Sequence, residues 1–167
     1  MRLNYSILNK ANDKQALLDY WNGVEGFKNE ATTRGTELHE KIKDTKFKLS
    51  FMKQCKWEYH FEFVDDVHVV SGYIDCMDKD YLVDWKRSKN HAGKQDATQL
   101  YFYDWCLRMC DLKGRKYGLM VQVDGDMNIL SKAMYELGKD MGKWYVERRD
   151  KILEYYETAK KDKLIKT

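Results

Sequence analysis

Residues 57–88 read WEYHFEFVDDVHVVSGYIDCMDKDYLVDWKRS, and this stretch decides the fold class. Its first eight residues alternate apolar and polar, the period of a strand with one buried face. Asp65-Asp66 is a turn pair, and VHVVSGYIDCM then reads as a second strand. Asp78-Lys79-Asp80 turns the chain again, into a third strand, YLVDWKRS. The spacing predicts an antiparallel meander of three strands.

Helices are expected on both sides of it. Toward the N-terminus, residues 6–21 carry Ile7, Leu8, Ala11, Leu17, Leu18 and Trp21 near helical spacing, which predicts one helix broken by Asn22-Gly23 and Gly26. A second helix is expected over residues 30–44, with Leu38 and Ile42 on one face. Toward the C-terminus, residues 94–111 have helical spacing, KYGLMVQV is an apolar strand, and Gly125-Asp126 closes a hairpin into MNILSKAM. From Leu137 to about residue 162 the pattern predicts a long amphipathic helix with Trp144, Tyr145, Ile152, Leu153 and Tyr156 inward and a frayed KKDKLIKT end. This order predicts an α/β (α+β) fold, with a central mixed β-sheet of about four to five strands flanked by helices.

Bulk properties narrow the class. A chain of 167 residues suits a single domain spanning 1–167. With 43% hydrophobic and 14% aromatic residues it is not a disordered polymer. The net charge of +3 permits nucleic-acid binding only if the cations cluster. No apolar run is long enough for a membrane helix, and the opening residues have neither a signal core nor a transit-peptide composition, so the expected location is cytoplasmic. Cys55, Cys76, Cys106 and Cys110 form no CxxC pair, so disulfides are not expected; Cys106 and Cys110 read as buried thiols.

The chemistry concentrates in the third strand. Asp84 and Lys86 are two apart and share a face, while Val83 and Trp85 pack on the other. If the second and third strands pair around residues 78–80, Asp75 lies beside Asp84. Two adjoining carboxylates repel unless a cation sits between them, and oxygen ligands suit Mg²⁺ or Mn²⁺. A lysine beside them can stabilise charge developing on a phosphate. The plainer reading of Asp-X-Lys alone is an exposed ion pair; the buried flank and the second acid weigh against it. Gln99 and Tyr103 are four apart on the next helix and share a face. His39 sits on the second predicted helix, one turn after Gly35.

Taken in order, Gly35 with His39, Asp75 in GYIDCMD, the Asp84-Trp85-Lys86 triplet, and Gln99 with Tyr103 resemble the PD-(D/E)XK nuclease superfamily, in its RecB-like branch, over about residues 30–110. The resemblance implies a restriction-endonuclease-like core over about 30–125. It implies a metal-dependent nuclease hydrolysing DNA phosphodiester bonds, an exonuclease acting on DNA ends, by in-line attack of metal-activated water that leaves a 5′-phosphate and a 3′-hydroxyl. His39, Asp75, Asp84 and the backbone carbonyl of Trp85 would hold one or two Mg²⁺ or Mn²⁺ ions. Asp75, Asp84 and Lys86 form the catalytic set, and Gln99 and Tyr103 organise the site or grip substrate. Glu37, Glu40 and Asp78 rank second, as outer-sphere acids.

Arg87, Lys89 and Lys94 are candidate DNA contacts, and Arg108, Lys113, Arg115 and Lys116 extend the basic cluster toward the end of the next helix. Tyr101, Phe102 and Trp105 could stack on bases, although core packing is the plainer reading for at least two of them. Some relatives carry a four-cysteine iron–sulfur cluster with three cysteines near the C-terminus. Here none follows Cys110, so no iron–sulfur cluster is expected. There is no GxxxxGK[ST] helicase motif either. The chain resembles a stand-alone module of the kind found in phages and mobile elements, acting on single- or double-stranded DNA in the host-cell cytoplasm if phage-encoded. The resemblance leaves room for a homo-oligomer or a partner recombinase or helicase. The competing readings are a catalytically silent DNA-binding module of the same fold and a structural protein whose acids and lysine are surface charges.

Overall fold

The three-strand meander forms, and it makes up one side of a six-stranded sheet. The structure, a computed structural model, describes residues 1–24, 37, 39–41, 49–87 and 96–166. β2 (Lys56–Asp65) and β3 (His68–Met77) pair antiparallel along their length and turn at Asp66-Val67, one residue later than expected because Asp65 still pairs with His68; Asp66 is in the left-handed region. β3 pairs antiparallel with β4 (Tyr81–Arg87) only at Cys76–Val83 and Met77–Leu82. The opposite end of that edge of β3 is taken by a strand the sequence reading did not anticipate: β1 (Arg2–Leu3) pairs parallel with Val69 and Val70.

β4 runs parallel to β5 (Tyr117–Val123), which is buried along almost its whole length, and β5 pairs antiparallel with β6 (Ile129–Glu136). The parallel β4–β5 pair needs a crossover, and α3 (Thr98–Met109) lies within it. The sheet is therefore mixed, as expected, with one strand more than the sequence suggested.

Two differences concern the helices. The expected helix over 6–21 is two helices, α1 (Tyr5–Asn9) and α2 (Lys14–Trp21), because the Asp13 side chain accepts the Ala16 amide at 3.0 Å and starts a new helix. The C-terminal helix, α4 (Gly142–Lys161), begins five residues later than predicted. Gly138 adopts φ +106°, and its amide donates to the buried Asp104 carboxylate at 3.1 Å, which holds 137–141 out of helical geometry. The tail is not frayed: the Leu164 carbonyl accepts from Asn22 Nδ2 at 2.9 Å, and the Lys166 amide donates to Asn22 Oδ1 at 2.7 Å. Of the helix predicted over 30–44, Glu37 and residues 39–41 are described and are helical; Gly35, Leu38 and Ile42 lie outside the described residues.

The sheet buries a cluster on each face. On one, Ile7, Leu8 and Leu17 from the N-terminal helices, Leu100, Phe102 and Trp105 from α3, and Tyr145 and Ile152 from α4 pack on Phe61, Val70, Ile74 and Leu82. On the other, Leu49 and Met52 cover Cys76, Val83, Trp85, Leu119 and Val121. The inward residues expected on α4 are confirmed at Tyr145 and Ile152, while Trp144, Leu153 and Tyr156 are half-buried at its flank. The four cysteines are thiols; Cys76 and Cys106 are fully buried, and the Cys110 thiol donates to the Glu62 carbonyl. No described helix is long and apolar enough to cross a membrane.

Candidate active site

The site forms where β3 and β4 part. After the Cys76–Val83 rung the next pair in register would be Asp75 with Asp84, but the backbone ladder stops there. Asp75 Oδ2 instead accepts the Trp85 amide at 2.9 Å, so a side chain stands where a backbone carbonyl would close the sheet. The fork leaves both carboxylates and the Trp85 carbonyl grouped at its apex.

A second local feature turns Asp75 to that side. In β2, Tyr59, Phe61 and Phe63 pack on the helical face of the sheet, yet Trp57, of the same parity, packs on the opposite face. In β3, Ile74 and Cys76 divide in the same way. The change of face falls between them, at Glu58 and Asp75, and Glu58 sits at φ +47°, a conformation that a side chain with a Cβ rarely adopts. Strict alternation would have put Asp75 outside with the exposed Tyr73. The kink carries it to the face of Met77 and Asp84, and strain of this kind persists where surrounding structure holds it.

Asp84 is 4% exposed, and its Oδ2 accepts no hydrogen bond among the described residues; Lys86 Nζ stands 3.2 Å from it as an ion pair. Burial, and then the adjoining Asp84 carboxylate, push the Asp75 carboxyl well above the usual carboxylate range, against the opposing effect of the Trp85 amide. His39 Nε2 lies 3.4 Å from Asp75 Oδ2 and 3.5 Å from the Trp85 carbonyl oxygen. Lys86 Nζ also donates to Gln99 Oε1 at 3.3 Å, and Gln99 Nε2 donates to the Tyr103 hydroxyl at 3.0 Å. The chain Asp84–Lys86–Gln99–Tyr103 thus fixes the lysine from both ends.

Tyr103 is itself seated by a close approach. It meets Phe61 edge-on at 5.4 Å, and a Cβ added to Gly72 would stand 2.7 Å from the Phe61 ring and 3.4 Å from Tyr103. Gly72 is therefore needed for space. Tyr5 is a neighbour that sequence reasoning missed. It stacks on Trp144 at 6.0 Å, and burial followed by the Asp96 and Asp84 carboxylates pushes its phenol up to about 12. An isolated tyrosine near an N-terminus carries no pattern that could have found it.

The donor set fits a hard divalent cation. Two carboxylates, one imidazole nitrogen and one backbone carbonyl converge, and among the described residues the buried Asp84 Oδ2 accepts no hydrogen bond. Among the described residues no three His, Cys, Asp or Glu side chains close a cage by themselves. The fit is that of an open site with positions left for water or other oxygen ligands, which suits Mg²⁺ and Mn²⁺.

Other predicted residues stand elsewhere. Asp78 is buried, and its oxygens accept the amides of Lys53, Asp80 and Tyr81, so it holds the β3–β4 turn. Glu37 pairs with Arg87 at 3.6 Å, and Glu40 is exposed. Arg87 points away from the carboxylates, over Gly125. Lys89 and Lys94 lie outside the described residues. Arg108 and Arg115 belong to the far end of α3: Gln99 and Arg108 are nine residues apart, about 14 Å of helix. There Arg108 pairs with Asp104 at 3.3 Å. Phe102 and Trp105 are core, and Tyr101 is half-buried beneath Lys139, whose ammonium is 4.1 Å from the ring centre.

No family model and no curated protein sequence matches the chain. Solved structures share its fold. A crystal structure described as SSO0001 superposes with a TM-score of 0.65 at 14% identity, over 92% of this chain and 76% of that one. The alkaline exonuclease LHK-Exo from Laribacter hongkongensis, solved in complex with dAMP, superposes with a TM-score of 0.51 at 12% identity, over 96% and 88%. At these identities the likeness is one of fold. A mixed sheet of five to six strands flanked by helices is consistent with a restriction-endonuclease-like core.

Proposed function

We propose that this protein is a Mg²⁺- or Mn²⁺-dependent nuclease of the PD-(D/E)XK superfamily, in its RecB-like branch, hydrolysing DNA phosphodiester bonds and acting on DNA ends. The observation that carries the reading is the convergence of Asp75, Asp84, His39 Nε2 and the Trp85 carbonyl at the β3–β4 fork, with Lys86 alongside. The fold shared with an exonuclease supports it.

His39, Asp75, Asp84 and the Trp85 carbonyl would hold the cation. A divalent ion there supplies Lewis-acid charge at the phosphorus and lowers the pKa of a water. Asp75, whose carboxyl is held well above the usual range by burial and the adjoining Asp84, would bind such a cation in its ionised form. Lys86, ion-paired with Asp84 and donating to Gln99, can turn its ammonium toward a non-bridging phosphate oxygen as negative charge develops there. Tyr103 keeps Gln99 in the orientation that presents Oε1 to the lysine.

The test is digestion of end-labelled linear and closed-circular DNA, single- and double-stranded, with Mn²⁺, Mg²⁺ or EDTA, comparing wild type with Lys86→Ala and Asp84→Asn. Metal-dependent loss of linear substrate, abolished in both variants, supports the reading; cutting of circles makes the protein an endonuclease. DNA binding without any product leaves the catalytically silent module.

A further inference from the structure

The β3–β4 turn borders a cleft of about 350 Å³ lined by Lys53, Lys56, Lys79 and Arg115 around Met77 and Asp78. Four cations against one carboxylate leave the lining with a formal +3, as large as the net charge of the whole chain. The Asp78 carboxylate faces three backbone amides, and among the described residues it forms no ion pair with any of the four. Among the described residues none of the four cations forms an ion pair.

Among the described residues Arg115 is held in place by neutral acceptors. Its guanidinium donates to the Asp78 and Lys113 carbonyls and toward Met77 Sδ at 3.8 Å, which engages three of its five N–H groups. Among those residues the charge is positioned without a carboxylate partner. Three lysines stand round it, Lys53, Lys56 and Lys79 all being exposed. Uncompensated like charges in a concave site focus the field for an anion with several oxygens.

The geometry points to a phosphate subsite in this cleft that takes a backbone phosphate of the nucleic acid. It rests on the nuclease reading for the identity of that polyanion. Tyr81, beside the turn, is three residues from Asp84 along β4, a rise of about 10 Å at ~3.3 Å per residue. That is the rise of about three nucleotides of a duplex strand. A phosphate held there would register the chain a few nucleotides from the bond at the carboxylates.

The experiment measures affinity for fluorescently labelled single- and double-stranded oligonucleotides in EDTA across a range of salt. It compares wild type, Lys53→Ala/Lys79→Ala, and a control of equal charge loss, Lys160→Ala/Lys161→Ala. Each phosphate contact contributes about 0.7 to 0.9 to the slope of log K against log salt, so the first variant is expected to flatten it by 1 to 2 and the control not at all. Equal slopes in all three proteins, with cleavage by wild type intact, overturn the subsite and leave the nuclease reading standing. A flattened slope without metal-dependent cleavage keeps the subsite and removes the catalytic reading. Inorganic phosphate is titrated in parallel as a free probe. If it binds wild type but not the double variant while the DNA slope is unchanged, the site serves a free phosphate compound and the nucleic-acid assignment fails.

Discussion

Asp75→Asn should stabilise the metal-free protein, and only above acid pH. Asp75 is buried beside Asp84 with its carboxyl held well above the usual range, first by burial and then by that neighbour. A raised folded-state value means that the native chain binds more protons than the unfolded chain between the two values. Stability is therefore full below the unfolded value, near 3.8, and is lost as pH rises through the folded one. Two charges about 4 Å apart at an effective dielectric of 20 repel by about 4 kcal/mol. Proton uptake by Asp75 caps the cost below that figure. Asparagine keeps an oxygen for the Trp85 amide and removes the charge. The expected gain at pH 8 in EDTA is about 1 to 3 kcal/mol, or several degrees in Tm for a chain of this size. Thermal unfolding of both proteins from pH 4 to 8.5 measures it, and the two curves should converge at the acid end. Millimolar Mn²⁺ should raise the Tm of wild type and leave the variant nearly unmoved. A variant no more stable than wild type at pH 8, with the two responding alike to Mn²⁺, would refute the strained carboxylate pair.

Other perturbations probe its supports. Tyr103→Phe removes the acceptor for Gln99 Nε2 and loosens Lys86, so kcat for DNA cleavage should fall about tenfold with KM little changed, by steady-state assay. Gly72→Ala drives a methyl into the Phe61 ring, and should cost about 1 to 3 kcal/mol by urea unfolding while lowering cleavage through the displaced Tyr103. Arg149→Met removes a 2.6 Å bond to Asp65, whose carboxyl sits below its ordinary value because Arg149 and the Tyr145 hydroxyl outweigh its burial. A depressed value gives stability present above the unfolded pKa and lost as pH falls through the folded one. The variant should therefore be weaker by about 1 to 2 kcal/mol near pH 7, with the gap closing below about pH 4 in a pH series of urea melts.

Much of this was legible along the chain because the signals are local. The alternation of WEYHFEFV, the acidic turn pairs and the two-residue spacing of Asp84 and Lys86 follow from the pleat of a strand, and they predicted both the meander and the shared face. Gln99 and Tyr103 met as the helical repeat required. Arg108 and Arg115, read as extending the basic cluster toward the end of the helix, stand at that end and away from the carboxylates, because nine residues of helix separate it from Gln99. Asp13, an obvious helix cap, was passed over within a longer apolar periodicity.

The sequence by itself determined the elements, their order and the chemical character of the site, because periodicity and residue type act over a few residues. Only the tertiary structure decided that β3 and β4 part at Asp75, that β1 takes the edge so vacated, and that Glu58 in the left-handed region turns Asp75 inward to Asp84. Those outcomes depend on competition among distant segments for the same hydrogen-bonding edge and the same buried volume. No local pattern records which of them wins.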